Sequence, residues 1–300
     1  MAERISFHDE IRKNKIKSFL LIVVMFVFFI LVGWIIALAV DPGFFFVIMI
    51  FATIFSVVYV LISYYNSDKI ALASVNARKA SSERDRKFWN AAENMSIASG
   101  LPMPRLYVME SSQINAFATG RDPQHAVICV TSGAMEKLDK QELEGVIAHE
   151  MSHIANYDMR FMTLTAVMVG LISIVAQIFL RSLWFGGGRK REGKGGVVII
   201  IIAIIAAILA PLAAQLVSLA ISRKREFGAD ATAVKFTRYP PGLRRALIKI
   251  NEEHLSDEDK KKYPQAAASL FISDPFKKKV KGLFSTHPSI DVRIGKLERM

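Results

Sequence analysis

Long apolar stretches alternate with polar, charged stretches along this chain. Four of the apolar stretches contain no Asp, Glu, Lys or Arg: Phe19–Val40, Phe44–Tyr65, Phe161–Leu180 and Val197–Ser222. Each has at least the roughly 20 residues that a helix needs to cross the hydrocarbon core of a bilayer. The pattern therefore predicts four transmembrane helices. The short turn Asp41-Pro42-Gly43 joins the first two into a hairpin.

The second pair of apolar stretches is more polar than the first. It contains scattered hydroxyl, amide and proline residues, namely Thr163, Thr165, Ser173, Gln177, Pro211, Gln215 and Ser218. Spans that pack against other helices tolerate such residues, so we predict a second transmembrane hairpin. A buried hairpin inside a soluble domain is the alternative.

The distribution of Lys and Arg predicts the orientation in the membrane. Cations precede the first stretch (Arg12, Lys13, Lys15 and Lys17) and follow the second (Lys69, Arg78, Lys79, Arg84, Arg86 and Lys87). The turn between the two stretches has no Lys or Arg. The positive-inside rule then places the N-terminus and everything from Asn66 onward in the cytoplasm. A second basic group conflicts with this prediction, since it lies between the third and fourth stretches: Arg181, Arg189, Lys190, Arg191 and Lys194. Early spans usually dominate orientation, so the four-span prediction stands, with a partly inserted second hairpin as the alternative.

The polar segments contain the remaining secondary structure. The predicted organisation is a tail and first hairpin (1–65), a first catalytic segment (66–160), a second hairpin (161–222) and a second catalytic segment (223–300). Helices are predicted at 69–99, 141–157, 240–256 and 288–299, and strands at 105–109, 116–119 and 126–131. Asp139 is the predicted cap of the helix at 141–157. The fold class is thus a mainly α membrane protein with a cytoplasmic α+β domain.

Composition narrows the classes of function. The mean hydropathy is +0.31 and the formal net charge is +12. Because the cations flank apolar stretches, we interpret this charge as contact with lipid headgroups, and we expect no nucleic-acid partner. Cys129 is the only cysteine, which excludes an internal disulfide and a cysteine-based zinc ribbon.

The string His149-Glu150-Met151-Ser152-His153 carries the first chemical signal. Histidines at positions i and i+4 lie one turn apart on a helix, so both imidazoles can bind one zinc ion. Glu150 can then accept a proton from a zinc-bound water, acting as the general base of peptide hydrolysis. A pair of ordinary hydrogen-bonded histidines is the alternative interpretation of this pattern.

A third ligand is available in the string from Arg223 to Asp230. Glu226 and Asp230 share a helix face, so Glu226 can complete a His, His, Glu site while Asp230 orients a ligand imidazole. The spacing alone is equally consistent with an exposed helix face of mixed charge, on which Glu226 and Asp230 bind no metal. Proximity favours ligation, because His153 precedes the third apolar stretch and Glu226 follows the fourth. A hairpin would place both beside one another, roughly 10 Å above the hydrocarbon.

Four strings together resemble the HtpX family of membrane zinc endopeptidases, which are relatives of the CAAX prenyl proteases. They are Asn115-Ala-Phe-Ala-Thr-Gly120, His149-Glu-Met-Ser-His153, Arg225-Glu-Phe-Gly-Ala-Asp230 and Thr286-His-Pro-Ser289. The resemblance covers nearly the whole chain. It implies a zincin-like metalloprotease domain, one zinc ion per chain, a location in the cell membrane and a stress-related role in protein quality control.

The resemblance also implies roles for individual residues of the metal centre and its surroundings. His149, His153 and Glu226 correspond to the zinc ligands, and Glu150 to the base. Four consecutive residues correspond to a substrate-binding edge strand whose backbone pairs with an extended peptide: Asn115, Ala116, Phe117 and Ala118. His287 and Arg293 match a C-terminal motif of the family that approaches the active site.

Ordinary structural roles remain possible for several of these residues. His287 is either an oxyanion donor or a residue that begins a helix ahead of Pro288. Arg293 is either a substrate contact or a surface ion-pair partner. Asn115 either contacts the substrate backbone or holds a turn. Asn156 and Asp158 either end the metal-binding helix or orient it.

The leading functional hypothesis is a membrane-bound zinc endopeptidase that cleaves membrane proteins at the cytoplasmic face. The alternatives are a prenyl-protein protease of the CAAX type and a non-catalytic membrane chaperone. The intact Glu150 argues against the chaperone. Cleavage within the bilayer is disfavoured because polar residues surround the motif: Gln141, Glu142, Glu144, Asn156 and Asp158.

Overall fold

The computed structural model describes residues 7–40, 42–170, 223–253, 270–273 and 289–300. Several predicted features lie wholly or partly outside these residues. They include the end of the third apolar stretch, the whole fourth stretch, the basic loop between them, the end of the helix predicted at 240–256, the start of the helix predicted at 288–299 and His287.

Two long helices form an N-terminal hairpin. Helix α1 spans Phe7–Val40, a single 3-10 turn covers Pro42–Phe44, and helix α2 spans Phe45–Tyr65. The helices approach closely where Gly33 faces Ala52, since a Cβ atom added to Gly33 would lie 2.3 Å from the Cβ of Ala52. The absence of a side chain at this position therefore allows the two helices to pack together.

The hairpin has the composition of membrane-spanning helices. Within the described residues, Asn14–Leu31 and Phe45–Tyr65 are long and apolar enough to cross a membrane, with mean hydropathies of 2.1 and 2.8. Only 6% of the second segment is buried inside the structure, so its apolar side chains face outward. Such a large exposed apolar surface is typical of contact with lipid rather than water.

Helix α1 begins well before the predicted span. The apolar stretch starts at Phe19, whereas the helix starts at Phe7. The intervening residues include Glu, Arg, Lys and Ile, which sustain a helix although they do not favour hydrocarbon. The apolar pattern therefore located the membrane segment but missed about three turns of polar helix that precede it.

A four-stranded mixed sheet follows the hairpin. The elements in chain order are helix α3 (Ser67–Ser74), strand β1 (Arg78–Lys79), helix α4 (Arg86–Ser99), and strands β2 (Arg105–Met109), β3 (Ala116–Thr119) and β4 (Val127–Thr131). The strand order is β1-β2-β4-β3. Strands β2 and β4 are parallel, while β1 and β3 run antiparallel to their neighbours. Strand β3 is therefore at one edge of the sheet.

The structure corrects the continuous helix predicted over 69–99. Helices α3 and α4 are separate, and β1 lies between them. Asn76 adopts a positive φ of 50°, which ends α3 and turns the chain toward the sheet. The predicted strands agree better, because β2 and β3 match their predicted bounds and β4 begins one residue later than predicted.

The remaining described elements are helical. They are α5 (Ser132–Lys137), α6 (Lys140–Ala155), α7 (described over 158–170), α8 (Arg223–Thr237), α9 (Pro240–Glu252) and α10 (Ile290–Leu297). Asp139 caps α6 as predicted, in a reciprocal capping box with Glu142. Tyr157 has a positive φ of 59°, so the chain turns sharply between α6 and α7.

One hydrophobic core joins the two polar segments around α6. Its buried members come from the sheet, from α4 and α6, and from the C-terminal helices, and they include Phe88, Ile128, Ile147, Leu247 and Leu297. Helix α6 contacts α9 closely, because a Cβ atom on Gly145 would lie 2.6 Å from the backbone nitrogen of Leu243. Cys129 on β4 is fully buried in a second cluster of this domain.

Candidate metal centre

Helix α6 carries two histidines on one buried face. The imidazole rings of His149 and His153 have centroids 4.9 Å apart, and their Nε2 atoms are separated by 3.3 Å. Two atoms bound at about 2.1 Å to one zinc ion with tetrahedral angles lie about 3.4 Å apart. The spacing of the two imidazoles therefore fits a shared zinc ion.

Helix α8 brings a carboxylate to the same point. Oε2 of Glu226 lies 3.6 Å from Nε2 of His149, and Oε1 lies 3.8 Å from Nε2 of His153. The three side chains form a buried group that could hold a metal ion, with ligand atoms all within 4.8 Å of one another. Two nitrogens and one oxygen with a fourth position open are typical of catalytic zinc.

Two further carboxylates face the Nδ1 atoms of the histidines, on the side of each ring away from the shared metal position. Oδ1 of Asp230 is 3.0 Å from Nδ1 of His149, and Oδ2 of Asp158 is 3.2 Å from Nδ1 of His153. Both carboxylates are buried. A carboxylate in this position keeps the proton on Nδ1, so that Nε2 presents its lone pair to a metal. The sequence suggested this role for Asp230 and, as one of two alternatives, for Asp158.

Arg293 on α10 lies inside the protein, next to Asp230. Its guanidinium donates from Nε to Oδ2 of Asp230 at 2.8 Å and from Nη2 to Oδ1 at 2.6 Å, and its side chain is 1% exposed. Burial alone would raise the pKa of Asp230, but Arg293 and His149 outweigh burial and hold that pKa well below its usual range. Asp230 therefore keeps a negative charge in the interior.

Glu150 faces the same buried region and contacts strand β3. Burial raises the pKa of its carboxyl, His149 and His153 oppose this rise, and Glu226 adds to it. The backbone N–H of Ala118 on β3 also faces this carboxyl and lowers its pKa slightly. A carboxyl whose pKa is raised towards neutrality is suited to accept and release protons.

Strand β3, the predicted substrate strand, is buried. The segment at 270–273 of the same protein pairs with part of its outer edge. The N–H of Ile272 donates to the carbonyl of Ala116 at 2.9 Å. The amide of Asn115 donates to the carbonyl of Ser273 at 3.0 Å and accepts from the N–H of Ala116 at 3.0 Å. Asn115 therefore holds the segment at 270–273 against β3, a contact that the sequence interpretation did not include.

The side chain of Phe117, one of the predicted substrate-binding residues, lies in the protein interior. Its side chain is buried, with 1% of the residue exposed, and its ring packs edge-on against Phe271 with centroids 5.0 Å apart. Phe117 lies opposite Cys129 on β4. Backbone groups of successive residues point to opposite edges of a strand, and Ala116 uses the outer edge, so those of Phe117 face β4. The side chain of Phe117 is thus part of the core, and its place in the substrate-binding strand stays a prediction.

Sequence reasoning missed three relationships around this centre. It treated Arg293 as a surface or substrate-binding residue and left Asp158 with a weak assignment. It attached no role to Asn14, whose side chain donates to Asp158 at 2.7 Å. A clue was available for Arg293, because a carboxylate buried beside another carboxylate requires a cation. The contact of Asn14 joins residues far apart in sequence, so no local pattern could have indicated it.

Comparisons with known proteins give a consistent result. A model of peptidase family M48 matches residues 82–300. The "Protease HtpX homolog" of Caldanaerobacter subterraneus subsp. tengcongensis is 45% identical, over 84% of this chain and 84% of that protein. The "Protease HtpX homolog" of Dictyoglomus thermophilum is 42% identical, over 98% of this chain and 95% of that protein.

One solved structure also shows a similarity. It is the crystal structure of S. mikatae Ste24p, which is 18% identical to this chain and matches with a TM-score of 0.45. The alignment covers 95% of this chain but only 65% of that one, so this chain spans about two thirds of its length. A similarity of this degree is weak.

Proposed function

The chain belongs to peptidase family M48 and, within it, to the HtpX proteases, and from this premise we propose that it is a membrane-bound zinc endopeptidase. Its proposed substrates are damaged or misassembled membrane proteins, which it cleaves at the cytoplasmic face. The observation that carries the proposal is the buried convergence of His149, His153 and Glu226. Glu150, one residue after the first histidine, supplies the proton-transfer group.

Different residues of the chain would bind the zinc ion, transfer the proton and orient the imidazoles. His149, His153 and Glu226 would hold the zinc ion, which when bound polarises the scissile carbonyl and acidifies a water molecule. Glu150 accepts a proton from the attacking water and returns it to the leaving nitrogen. Asp230 and Asp158 keep the two imidazoles in the orientation that ligation requires.

Strand β3 is the proposed binding site for the substrate backbone. An extended peptide would add to the outer edge of this strand by backbone hydrogen bonds. Because Ile272 already bonds the carbonyl of Ala116, the peptide would pair chiefly at Ala118. The roles of Arg293 as a substrate contact and His287 as an oxyanion donor, both implied by resemblance, stay predictions.

The proposed topology follows from the apolar stretches and the cations. The candidate spans in α1 and α2 would cross the membrane, and the basic residues at their polar ends would place the catalytic domain in the cytoplasm. The second hairpin, at 161–222, completes the proposed four-span arrangement. Partial insertion of that hairpin is the alternative.

Activity of a Glu150→Gln variant tests the proposed chemistry. The full-length protein and the variant are purified in detergent, and cleavage of casein is followed with zinc and with a chelator. The amide keeps the shape of the side chain but cannot accept the proton, so we expect the variant to bind zinc and lose cleavage. Glu144→Gln, a change on the same helix outside the buried group, serves as the control.

The outcomes separate the proposed function from its alternatives. Equal zinc-dependent cleavage by the wild type and Glu150→Gln would refute the general-base mechanism. A wild type that binds casein without cleaving it would favour the chaperone. Cleavage of a prenylated peptide but not of casein would favour the CAAX-type protease.

A further inference from the structure

We propose that Asn14, on the first helix, is a positioning residue for the metal ligand His153 and acts through Asp158. This inference rests on the zinc site proposed above. If it is correct, a residue of the membrane hairpin helps to hold a metal ligand in place. Asn14 is buried, it donates two hydrogen bonds, and one of them fixes an oxygen of Asp158.

Asn14 is buried although it lies in the basic, polar beginning of α1. Only 1% of the residue is exposed, whereas the neighbouring Arg12 and Lys15 are exposed. Its Nδ2 atom donates to the carbonyl of Asn156 at 2.9 Å and to Oδ1 of Asp158 at 2.7 Å. A buried amide retains its position only when such hydrogen bonds compensate its lost hydration. The contact is therefore specific for this turn of the catalytic domain.

The two oxygens of Asp158 have different partners. Oδ1 accepts from Asn14, and Oδ2 faces Nδ1 of His153 at 3.2 Å. A carboxylate held at one oxygen cannot rotate freely, so the other oxygen stays directed at the imidazole. Arg225 lies near the same Oδ1 atom, but at 3.8 Å. The amide of Asn14 is thus the closer partner, and it orients the carboxylate without neutralising it.

The chain Asn14, Asp158, His153 connects the hairpin with the metal centre. Asn14 begins the candidate membrane span Asn14–Leu31, and His153 lies on α6. A shift of α1 relative to the turn at 156–158 would release Oδ1 of Asp158 and loosen the imidazole. The zinc affinity should therefore respond to a side chain on the membrane helix that does not touch the metal.

A general docking role for α1 is the competing explanation, and the protein offers a matched control. The ammonium of Lys15 lies 4.5 Å from the centre of the Tyr157 ring. Lys15 therefore holds α1 against the same turn, but within the described residues it forms no hydrogen bond or ion pair with Asp158. Removal of Lys15 should weaken docking without changing the orientation of the carboxylate.

The test compares the zinc affinity of Asn14→Ala, Lys15→Ala and the wild type as full-length proteins in detergent, by competition with a chromophoric chelator. Loss of a partner that orients a metal ligand typically lowers affinity by about 10-fold or more, and we expect a loss of this size for Asp158→Ala. Asn14→Ala, one contact further from the metal, should give a smaller but measurable loss. The cobalt-substituted protein should also show an altered d–d absorption spectrum. Lys15→Ala should retain both the affinity and the spectrum.

A double-mutant cycle with Asp158→Ala makes the test specific. If Asn14 acts through Asp158, Asn14→Ala should add little to the loss in affinity caused by Asp158→Ala. Asn14→Asp, which keeps the volume but removes the donor, decides the matter if Asn14→Ala does not fold. The inference would be overturned if Asn14→Ala and Asn14→Asp both kept the zinc affinity and the cobalt spectrum of the wild type. It would also be overturned if Asn14→Ala lowered the zinc affinity as much in the Asp158→Ala background as in the wild type. A wild type that binds no zinc would instead overturn the proposed function.

Discussion

Arg293 donates two hydrogen bonds to Asp230, although the two residues belong to different helices and are both buried. The pair joins α10 to α8, the helix that carries Glu226. Since Asp230 also faces His149, the ion pair stabilises the fold and supports a metal ligand.

Arg293→Ala should destabilise the catalytic domain and weaken zinc binding. The change leaves a buried carboxylate without its cation, which typically costs about 3–5 kcal/mol. Thermal unfolding in detergent and a zinc titration measure the two effects. Arg244→Ala removes an exposed pair with Glu298 and should cost less than about 1 kcal/mol. A similar loss of stability in both variants would contradict the interpretation of Arg293.

Glu226→Ala should remove most of the zinc affinity. The variant lacks one of three ligand atoms, so the remaining imidazoles would bind zinc more weakly by a factor of more than about 100. Competition with a chelator measures the change. Glu144→Ala alters a carboxylate on α6 that bonds Asn94 outside the buried group, and it should bind zinc normally. Undiminished affinity in Glu226→Ala would exclude this residue from the ligand set.

The stability of the catalytic domain should fall in acid because of Asp85. The bidentate hydrogen bonds from Arg78 lower the pKa of Asp85, and burial opposes this shift. The folded protein therefore binds the proton more weakly than the unfolded chain, whose Asp has a pKa of about 3.9. The contribution to stability is complete well above pH 4, and it is lost as the pH falls through the lower pKa of the folded state.

Asp85→Asn tests this contribution. The variant should be less stable at pH 7 by about 2 kcal/mol, and its unfolding should depend less on pH below about 4. Unfolding curves between pH 7 and pH 3 provide the measurement. Glu110→Gln changes the exposed second partner of Arg78 and should leave the curve nearly unaltered. An acid limb that is identical in Asp85→Asn and the wild type would refute the prediction.

Gly145→Ala should push α9 away from the metal-binding helix. The added methyl group would lie 2.6 Å from the backbone nitrogen of Leu243, and backbone atoms cannot rotate aside. Overpacking of this kind costs about 1–3 kcal/mol, which a lowered melting temperature would show. Gly295→Ala introduces the same methyl group on α10, where no described atom lies within 4 Å, and should not destabilise the protein.

Local sequence patterns located the elements that local forces determine. Asp139 indicated the start of α6 because a helix cap acts on residues only a few positions away, and the structure adds Glu142 as its partner in a capping box. The helix predicted over 69–99 was wrong because helical propensity alone does not reveal that Arg78 and Lys79 pair with β2. The alternation of apolar stretches found the hairpin of α1 and α2, since burial in lipid acts on every residue of a span.

Contacts between distant segments could be predicted only where chemistry restricted the choice. Glu226 was identified because a pair of helical histidines requires a third ligand, and the structure places its carboxylate beside them. The choice for Arg293 was wider, because a buried carboxylate requires a cation but does not show which Lys or Arg supplies it. Asn14 was less constrained still, because a neutral amide can bond to almost any polar group. The pairing of Phe117 with Cys129 was likewise hidden, because a motif does not show which residues of a strand face its neighbour.

The burial of Cys129 has a practical consequence for mapping this protein in living cells. Burial raises the pKa of its thiol well above the usual range, so water-soluble maleimides should not modify it in the folded state. Because it is the only cysteine of the chain, the native protein already serves as an unreactive background. A single cysteine introduced at Arg189 would then report alone on which side of the membrane the basic loop lies, without any preparatory substitution.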